Sequence, residues 1–337
     1  MIPVMMIPTM TLSRFIYSEE SKHRHSTGEL SDLLNSIAVG IKMITKLVAT
    51  SGFRGLEGYT GNINVQGEET TKLDDEADAI LVEVLGSSRH FGLLVSEERD
   101  GEIETKIDDD TAKYVVAFDP LDGSSNIGSN IPVGTIFTIF EKKDPSRAAN
   151  RNDFLQVGRR VVASGYSVYG AKTSFVYSCG DGAHGFTLDP MIGEFVLTEE
   201  NIKMPERGKY YSTNEGYTNV WLKETKSYID LLKSENQEMG LPLGTRYVGS
   251  LVADFDRTLR KGGVFLHPAT TKRSRGKLRL LYECIPLAFI AEQAGGMAMD
   301  GEKDILDIQP EALHDRCPFI VGSKWEMDLY RKKFCGS

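Results

Sequence analysis

The chain has 337 residues, enough for a large core and two halves, with 40% hydrophobic and 26% charged residues, as in ordinary water-soluble globular proteins. A net charge of -9 excludes nucleic acid as the main partner, since a phosphate backbone needs clustered Lys and Arg, but leaves room for a small anion held by a local basic pocket or a metal. No uncharged run is long enough to span a bilayer, and Cys179, Cys284, Cys317 and Cys335 lack the pairing of a zinc site or a disulfide framework, so a reduced, cytoplasmic setting is expected.

Residues 1–26 read as an N-terminal extension, with Pro3 and Pro8 breaking its apolar start. A helix is expected from Glu29 to about Ser51, where Leu30, Leu33, Leu34, Ile37, Ile41, Ile44 and Val48 recur at helical spacing, with Thr27 or Gly28 before it. The Gly-, Thr- and Asn-rich stretch from Phe53 to Glu69 reads as a long loop. A second helix carries Ala77, Ile80, Leu81, Val84 and Leu85 on one side, with Asp74 at its positive end. Two buried strands follow, Phe91 to Val95 and Tyr114 to Phe118, each running abruptly into acids: Glu97-Glu98 and Asp119-Pro120-Leu121-Asp122. Gly134 to Phe140 reads as a strand and Phe186 to Leu197 as a hairpin. Later helices are expected over Leu222–Lys233, Ser250–Arg260 and Leu280–Gln293, with Pro286 kinking the last or marking a late first turn. Alternating helices and strands predict a layered α/β or α+β fold.

The acids at the strand ends carry the chemistry. Gathering Glu97, Glu98, Asp119 and Asp122 in one place is costly without a counter-charge. With no His or Cys nearby, a hard divalent cation with oxygen ligands removes that cost, Mg²⁺ foremost and Mn²⁺ second. Taken singly, these acid pairs are ordinary turn signals. Together with Gly123-Ser124-Ser125-Asn126, whose N–H and hydroxyl groups suit an anion, they point to phosphate chemistry.

The octapeptide Asp119–Asn126 resembles the lithium-sensitive sugar and inositol phosphatase superfamily, and with Ser96-Glu97-Glu98 it is similar to the class I fructose-1,6-bisphosphatase family in particular. The resemblance continues through Thr27-Gly28-Glu29-Leu30, Lys72-Leu73-Asp74, Asn214–Tyr217, Arg246–Ser250 and Gly276–Cys284, in the family's order. It implies an α/β/α/β/α sandwich and a homotetramer. The implied activity is metal-dependent removal of the 1-phosphate of fructose 1,6-bisphosphate in gluconeogenesis. It also implies a division into residues 27–205, metal-binding and regulatory, and residues 206–337, binding sugar phosphate.

Residue by residue, the resemblance implies metal ligands at Glu97, Asp119, the Leu121 carbonyl, Asp122 and Glu283. Glu98 and Asp74 correspond to the pair that activates water. Gly123, Ser124 and Ser125 correspond to the 1-phosphate cradle, Arg279 to a cation near the metals, and Lys277 to a contact with sugar and phosphate. Asn214, Tyr217 and Tyr247 correspond to the 6-phosphate site, and Arg246 to an arginine inserted from a neighbouring subunit. Thr27, Gly28, Glu29, Leu30, Ser31, Lys113 and Tyr114 resemble an AMP site.

Three positions depart from the pattern. Glu68 stands where an Asp in a mobile loop is usual, and its carboxylate can still cover the metals. His267 replaces a tyrosine on the 6-phosphate. Glu141 replaces the arginine of AMP-inhibited members, so AMP is expected to act weakly or not at all. The loop from Lys142 to Gly158 holds no cysteine, which removes the redox insertion of chloroplast forms. Competing readings are a sedoheptulose bisphosphatase, an inositol phosphatase, and a catalytically silent sugar-phosphate or AMP sensor. Tyr217, Arg246 and Tyr247 argue for a second phosphate and against inositol monophosphate, while a sensor would have lost a metal ligand or Glu98.

Overall fold

The computed structural model describes residues 10–22, 27–63, 69–88, 90–105 and 112–334. An eight-stranded sheet runs in the order Glu194–Ile202, Ala183–Asp189, Thr173–Ser178, Val161–Tyr169, Val133–Glu141, Tyr114–Asp122, Phe91–Ser96, Glu102–Glu104. It is antiparallel except where Phe91–Ser96 pairs in parallel with Tyr114–Asp122. That parallel pair sends both acid-bearing strand ends to the same edge of the sheet.

Alternation along the central strands feeds two cores. Val116, Phe118, Phe137 and Ile139 pack beneath the helices Glu29–Ala49 and Lys72–Gly86. Those helices approach closely at Gly40, where an added Cβ would lie 2.7 Å from Leu81. Val115, Ala117, Ile136 and Phe140 face the opposite way, onto the helices Leu251–Lys261 and Ile285–Gln293. The helix Ile285–Gln293 is buried from Ile285 through Ala291 because a second sheet covers its far side. This five-stranded sheet has the order Gly244–Thr245, Tyr210–Ser212, Val264–His267, Phe319–Gly322, Met297–Met299. Its outer face packs Val264, Leu266 and Ile320 against Tyr228, Ile229, Met327 and Tyr330 of the helices Lys223–Lys233 and Lys324–Phe334. The result is helix, sheet, helix, sheet, helix: the α/β/α/β/α sandwich.

Local readings differ in four places. Residues Leu12–Glu20, within the stretch read as an extension, form a helix whose Leu12, Phe15 and Ile16 are buried, with Phe15 set edge-on to Phe186. The stretch read as a loop contains strands Tyr59–Ile63 and Glu69–Thr71, paired antiparallel, which short polar residues concealed. The expected helix Leu280–Gln293 is divided: Leu280–Cys284 is a single π-helical turn, and Pro286 sits in the first turn of the α-helix that follows. The strands Val161–Tyr169 and Thr173–Ser178 and the helix Lys324–Phe334 were not anticipated; the strands are buried on both faces and lack a clean period of two.

Candidate active site

A cleft of about 200 Å³ opens where the strand ends meet the second sheet. Along Tyr114–Asp122, Asp119 pairs with Ile136 and Asp122 with Gly134, so three steps on one strand match two on the other. That extra residue is a β-bulge, and it turns two acids that would otherwise fall on opposite faces toward one side. The Leu121 N–H donates to Asp119 Oδ1 at 2.9 Å, closing the turn. Val252 N–H, in the first turn of Leu251–Lys261, donates to Asp122 Oδ2 at 2.9 Å. Glu283 arrives from the π-helical turn, and its Oε2 accepts from the Arg279 N–H at 2.5 Å.

Among the described residues, carboxylate oxygens of Asp119, Asp122 and Glu283 lie within 4.8 Å of one another, all three side chains buried. Burial, then repulsion from Glu97, Asp122 and Glu283, pushes Asp119 well above the usual carboxylate range. Burial likewise raises Glu283 and brings Asp122 up to about 7. Protonation or a divalent cation relieves such a cluster, and the all-oxygen donor set suits a hard cation. These residues fit a metal. Glu97 is buried beside them, its side chain hydrogen-bonding Asp119 and its Oε1 also meeting Arg279 Nη2 at 2.8 Å. Leu121 is buried in the cleft wall. Glu68 lies outside the described residues.

Asp74 and Glu98 both line the cleft. Asp74 closes a capping box with Thr71, accepting the Thr71 N–H at 2.8 Å, and its side chain also hydrogen-bonds Ser124. Burial raises its carboxyl to about 6. Glu98 is the second residue of the loop after Phe91–Ser96, its N–H donating to Ser96 Oγ at 3.3 Å. Arg99 pins that loop by reaching the buried Asp78 at 2.8 Å, a partner the strand-end reading did not single out.

Gly123 opens the short 3₁₀ turn Ser124–Ser129 with φ of 76°, a left-handed backbone that favours glycine, and an added Cβ would crowd Ser250 Oγ at 3.2 Å. Ser124 and Ser125 line the same cleft, and Asn126 Nδ2 ties the turn to the Gly249 carbonyl at 3.0 Å.

His267 and Lys277 stand at the junction of this cleft with a second cavity of about 330 Å³, which Asn214 and Tyr217 also line. Tyr247 borders the first cleft and its side chain hydrogen-bonds Asn214. Burial, then the Lys277 charge, lowers His267 to about 4, and its buried Nδ1 has no hydrogen-bond partner among the described residues. The imidazole is therefore neutral near pH 7. Arg246 is exposed and lines neither cavity; its guanidinium lies 4.8 Å from the Tyr210 ring and donates to the Thr245 carbonyl. Sequence reasoning missed Lys272 and Arg273 at the second cavity and Ser250 and Asp254 at the first. Ser250 closes the Arg246–Ser250 string and Asp254 lies four residues beyond it, which was the available signal.

A third cavity, about 440 Å³, lies at the opposite end of the strand Tyr114–Asp122, where Tyr114 pairs with Glu141. Thr27, Leu30, Ser31, Lys113, Tyr114 and Glu141 line it. Gly28 caps the helix and Glu29 pairs with Lys113 at 2.6 Å. The carboxylates Glu19, Glu20 and Asp181 join Glu141 there, and Glu20 Oε2 accepts from Ser31 Oγ at 2.6 Å.

Comparison with known proteins covers nearly all of this architecture. The family model described as "Fructose-1-6-bisphosphatase, N-terminal domain" matches residues 10–200, and that for the C-terminal domain matches residues 204–334. A class 1 fructose-1,6-bisphosphatase of Chlorobium phaeobacteroides is 49% identical over 94% of this chain and 95% of its own length. One of Chloroherpeton thalassium is 46% identical over 95% and 92%. The crystal structure of Leishmania major fructose-1,6-bisphosphatase in holo form superposes with a TM-score of 0.91 at 36% identity, covering 96% of this chain and 98% of that one.

Proposed function

Because the chain belongs to the fructose-1,6-bisphosphatase family, we propose that it is a hydrolase acting on fructose 1,6-bisphosphate, releasing the 1-phosphate and fructose 6-phosphate. The observation that carries the mechanism is the buried triad Asp119, Asp122 and Glu283 at the floor of a cleft whose rim is the Gly123–Ser125 turn. A divalent cation, Mg²⁺ or Mn²⁺, supplies charge neutralisation for the phosphoryl group when bound there.

The chain's own groups do the rest. Gly123, Ser124 and Ser125 orient the 1-phosphate, and Arg279 holds Glu97 while keeping positive charge beside the cluster. Glu98 takes the proton of the attacking water. Asp74, raised to about 6 by burial, shares that task with its second oxygen committed to the helix cap. Asn214, Tyr217, Tyr247 and Lys277 hold the 6-phosphate across the junction, and His267 offers a neutral ring in place of a phenol. The second cavity favours a bisphosphate over inositol monophosphate. Within this reading the chain divides near residue 205 into metal-binding and sugar-phosphate halves.

Assembly as a homotetramer is supported by exposed apolar side chains, Val39 and Met43 on the first long helix and Phe53, Met191 and Ile192 elsewhere. Arg246, exposed and lining neither cavity of its own chain, suits a role in a neighbour's. A cytoplasmic location agrees with Cys179, Cys284 and Cys317 being free thiols. No helix of the described residues is long and apolar enough to cross a membrane. The third cavity, with four carboxylates around one lysine, is a poor nucleotide-phosphate site, so AMP acts weakly.

Phosphate release tests this. The purified chain should liberate phosphate from fructose 1,6-bisphosphate with Mg²⁺ or Mn²⁺ and stop when the cation is chelated. Full activity in excess chelator, or faster turnover of inositol monophosphate, would defeat it.

A further inference from the structure

The segment Arg246–Ser250 carries Tyr247 and lies between the two cavities, yet it is not part of either sheet or of the helix that follows. Its shape is set by one side chain. Asp254, in the first turns of Leu251–Lys261, is fully buried at 0% exposure. Its oxygens accept the Val248 N–H at 3.1 Å and the Gly249 N–H at 2.9 Å. Ser212 Oγ, on the second sheet, donates to the same carboxylate at 2.8 Å, as does Arg257 Nη2 at 2.8 Å. Arg257 Nη2 in turn reaches the Arg246 carbonyl at 2.5 Å. The far end of the segment is tied across the cleft by the Gly249 carbonyl and Asn126.

A carboxylate accepting this many donors is an expensive group to bury, and hydrogen bonds to a charged group are worth more than neutral ones only when all partners are in place. The donors are two backbone N–H groups of one segment, a strand of the second sheet and an arginine that also grips the start of the segment. Asp254 therefore fixes the segment relative to Ser212, two residues before Asn214. We infer that Asp254 is a positioning residue for the second phosphate: it holds Tyr247 at a set distance from Asn214 and from the phosphate turn, and so selects a sugar carrying phosphates at both ends. This rests on the bisphosphatase reading above. Asp254 touches no reacting atom in it.

Asp254→Asn preserves shape but places an amide NH₂ among donors and leaves Arg257 without its counter-ion. Folded variant protein, verified by an unchanged far-ultraviolet spectrum, should show inhibition by fructose 6-phosphate weakened about tenfold and a KM for fructose 1,6-bisphosphate raised similarly. Its kcat should fall by less than about threefold, and inhibition by inorganic phosphate and half-saturation by Mg²⁺ should stay within about twofold. If Asp254→Asn does not fold, Arg257→Met decides: it keeps the carboxylate, frees the Arg246 carbonyl, and should weaken fructose 6-phosphate by about threefold or more. Unchanged fructose 6-phosphate inhibition in the folded variant overturns the proposal. So does an equal loss for inorganic phosphate, which would mark a general distortion of the cleft. Unmodified protein that fructose 6-phosphate fails to inhibit would overturn the sugar-phosphate reading itself, before any substitution is made.

Discussion

At the residue scale, carboxylates of one type take different roles from their surroundings. Asp119, Asp122 and Glu283 are buried together, Glu97 faces Arg279, and Glu98 stands partly exposed at the cleft. Glu98→Gln keeps size and removes the proposed base, so kcat for phosphate release should drop about 100-fold with little change in KM. Asp122→Asn should also raise the Mg²⁺ needed for half-maximal rate, and near-normal kcat in Glu98→Gln would move the base elsewhere. Glu141 is a second residue whose sign matters, since it faces the third cavity with three other carboxylates. Unmodified protein should respond weakly to AMP, and Glu141→Arg, by turning repulsion into attraction, should strengthen inhibition about tenfold. Low-micromolar inhibition that ignores this substitution would show that Glu141 does not meet the nucleotide. The carboxylates themselves were legible as acids ending apolar runs; that Glu97 pairs with Arg279 was not, because the two residues are 182 positions apart in the sequence.

At the element scale, the site depends on irregularities rather than on regular helices and strands. The bulge in Tyr114–Asp122 and the π-helical turn at Leu280–Cys284 each re-aim a carboxylate, and a periodicity argument sees neither. A further buried acid shows how an element is docked. Glu326, in the first turn of Lys324–Phe334, accepts the Gly208 N–H at 2.9 Å through Oε1, while its buried Oε2 has no partner among the described residues. Burial raises its carboxyl from 4.5 to about 7. A raised carboxyl binds its proton more tightly in the folded chain, so its contribution is complete below pH 4.5, declines as pH rises, and is gone above about pH 7. Glu326→Gln, neutral at every pH, should be more stable than the unmodified chain by about 1–2 kcal/mol at pH 8, after discounting the burial term, with no advantage near pH 4.5. Denaturant midpoints at the two pH values measure this, and an equal difference at both would place the effect in packing rather than in charge.

At the scale of the whole molecule, two sheets meet through shared helices, and the proposed active-site cleft lies at their seam. Leu251–Lys261 belongs to that seam: its first turn reaches Asp122 on one side, and Asp254 reaches Ser212 on the other. The exposed Arg246 extends the argument beyond one chain. Mixing Arg246→Ala with Glu98→Gln subunits should give hybrids in which an intact arginine faces an intact base, recovering activity that neither parent shows. The check is phosphate release after subunit exchange has been verified by mass. A monomeric protein, or exchanged hybrids no more active than the parents, would remove Arg246 from the neighbour's site.

The sequence by itself determined the layered class, both long N-terminal helices and the chemistry, because acids placed at the ends of buried strands and a Gly-Ser-Ser turn are constraints local to a few residues. It also marked His267 and Glu141 as departures, since identity at a motif position needs no coordinates. Only the tertiary structure decided that Arg279 answers Glu97 and that Asp254 holds the segment bearing Tyr247. Those pairings join residues from different layers, and no periodicity records which layers will touch. The helix Leu12–Glu20 was decided the same way: its short apolar face becomes a helix by packing on Phe186, from the far side of the sequence.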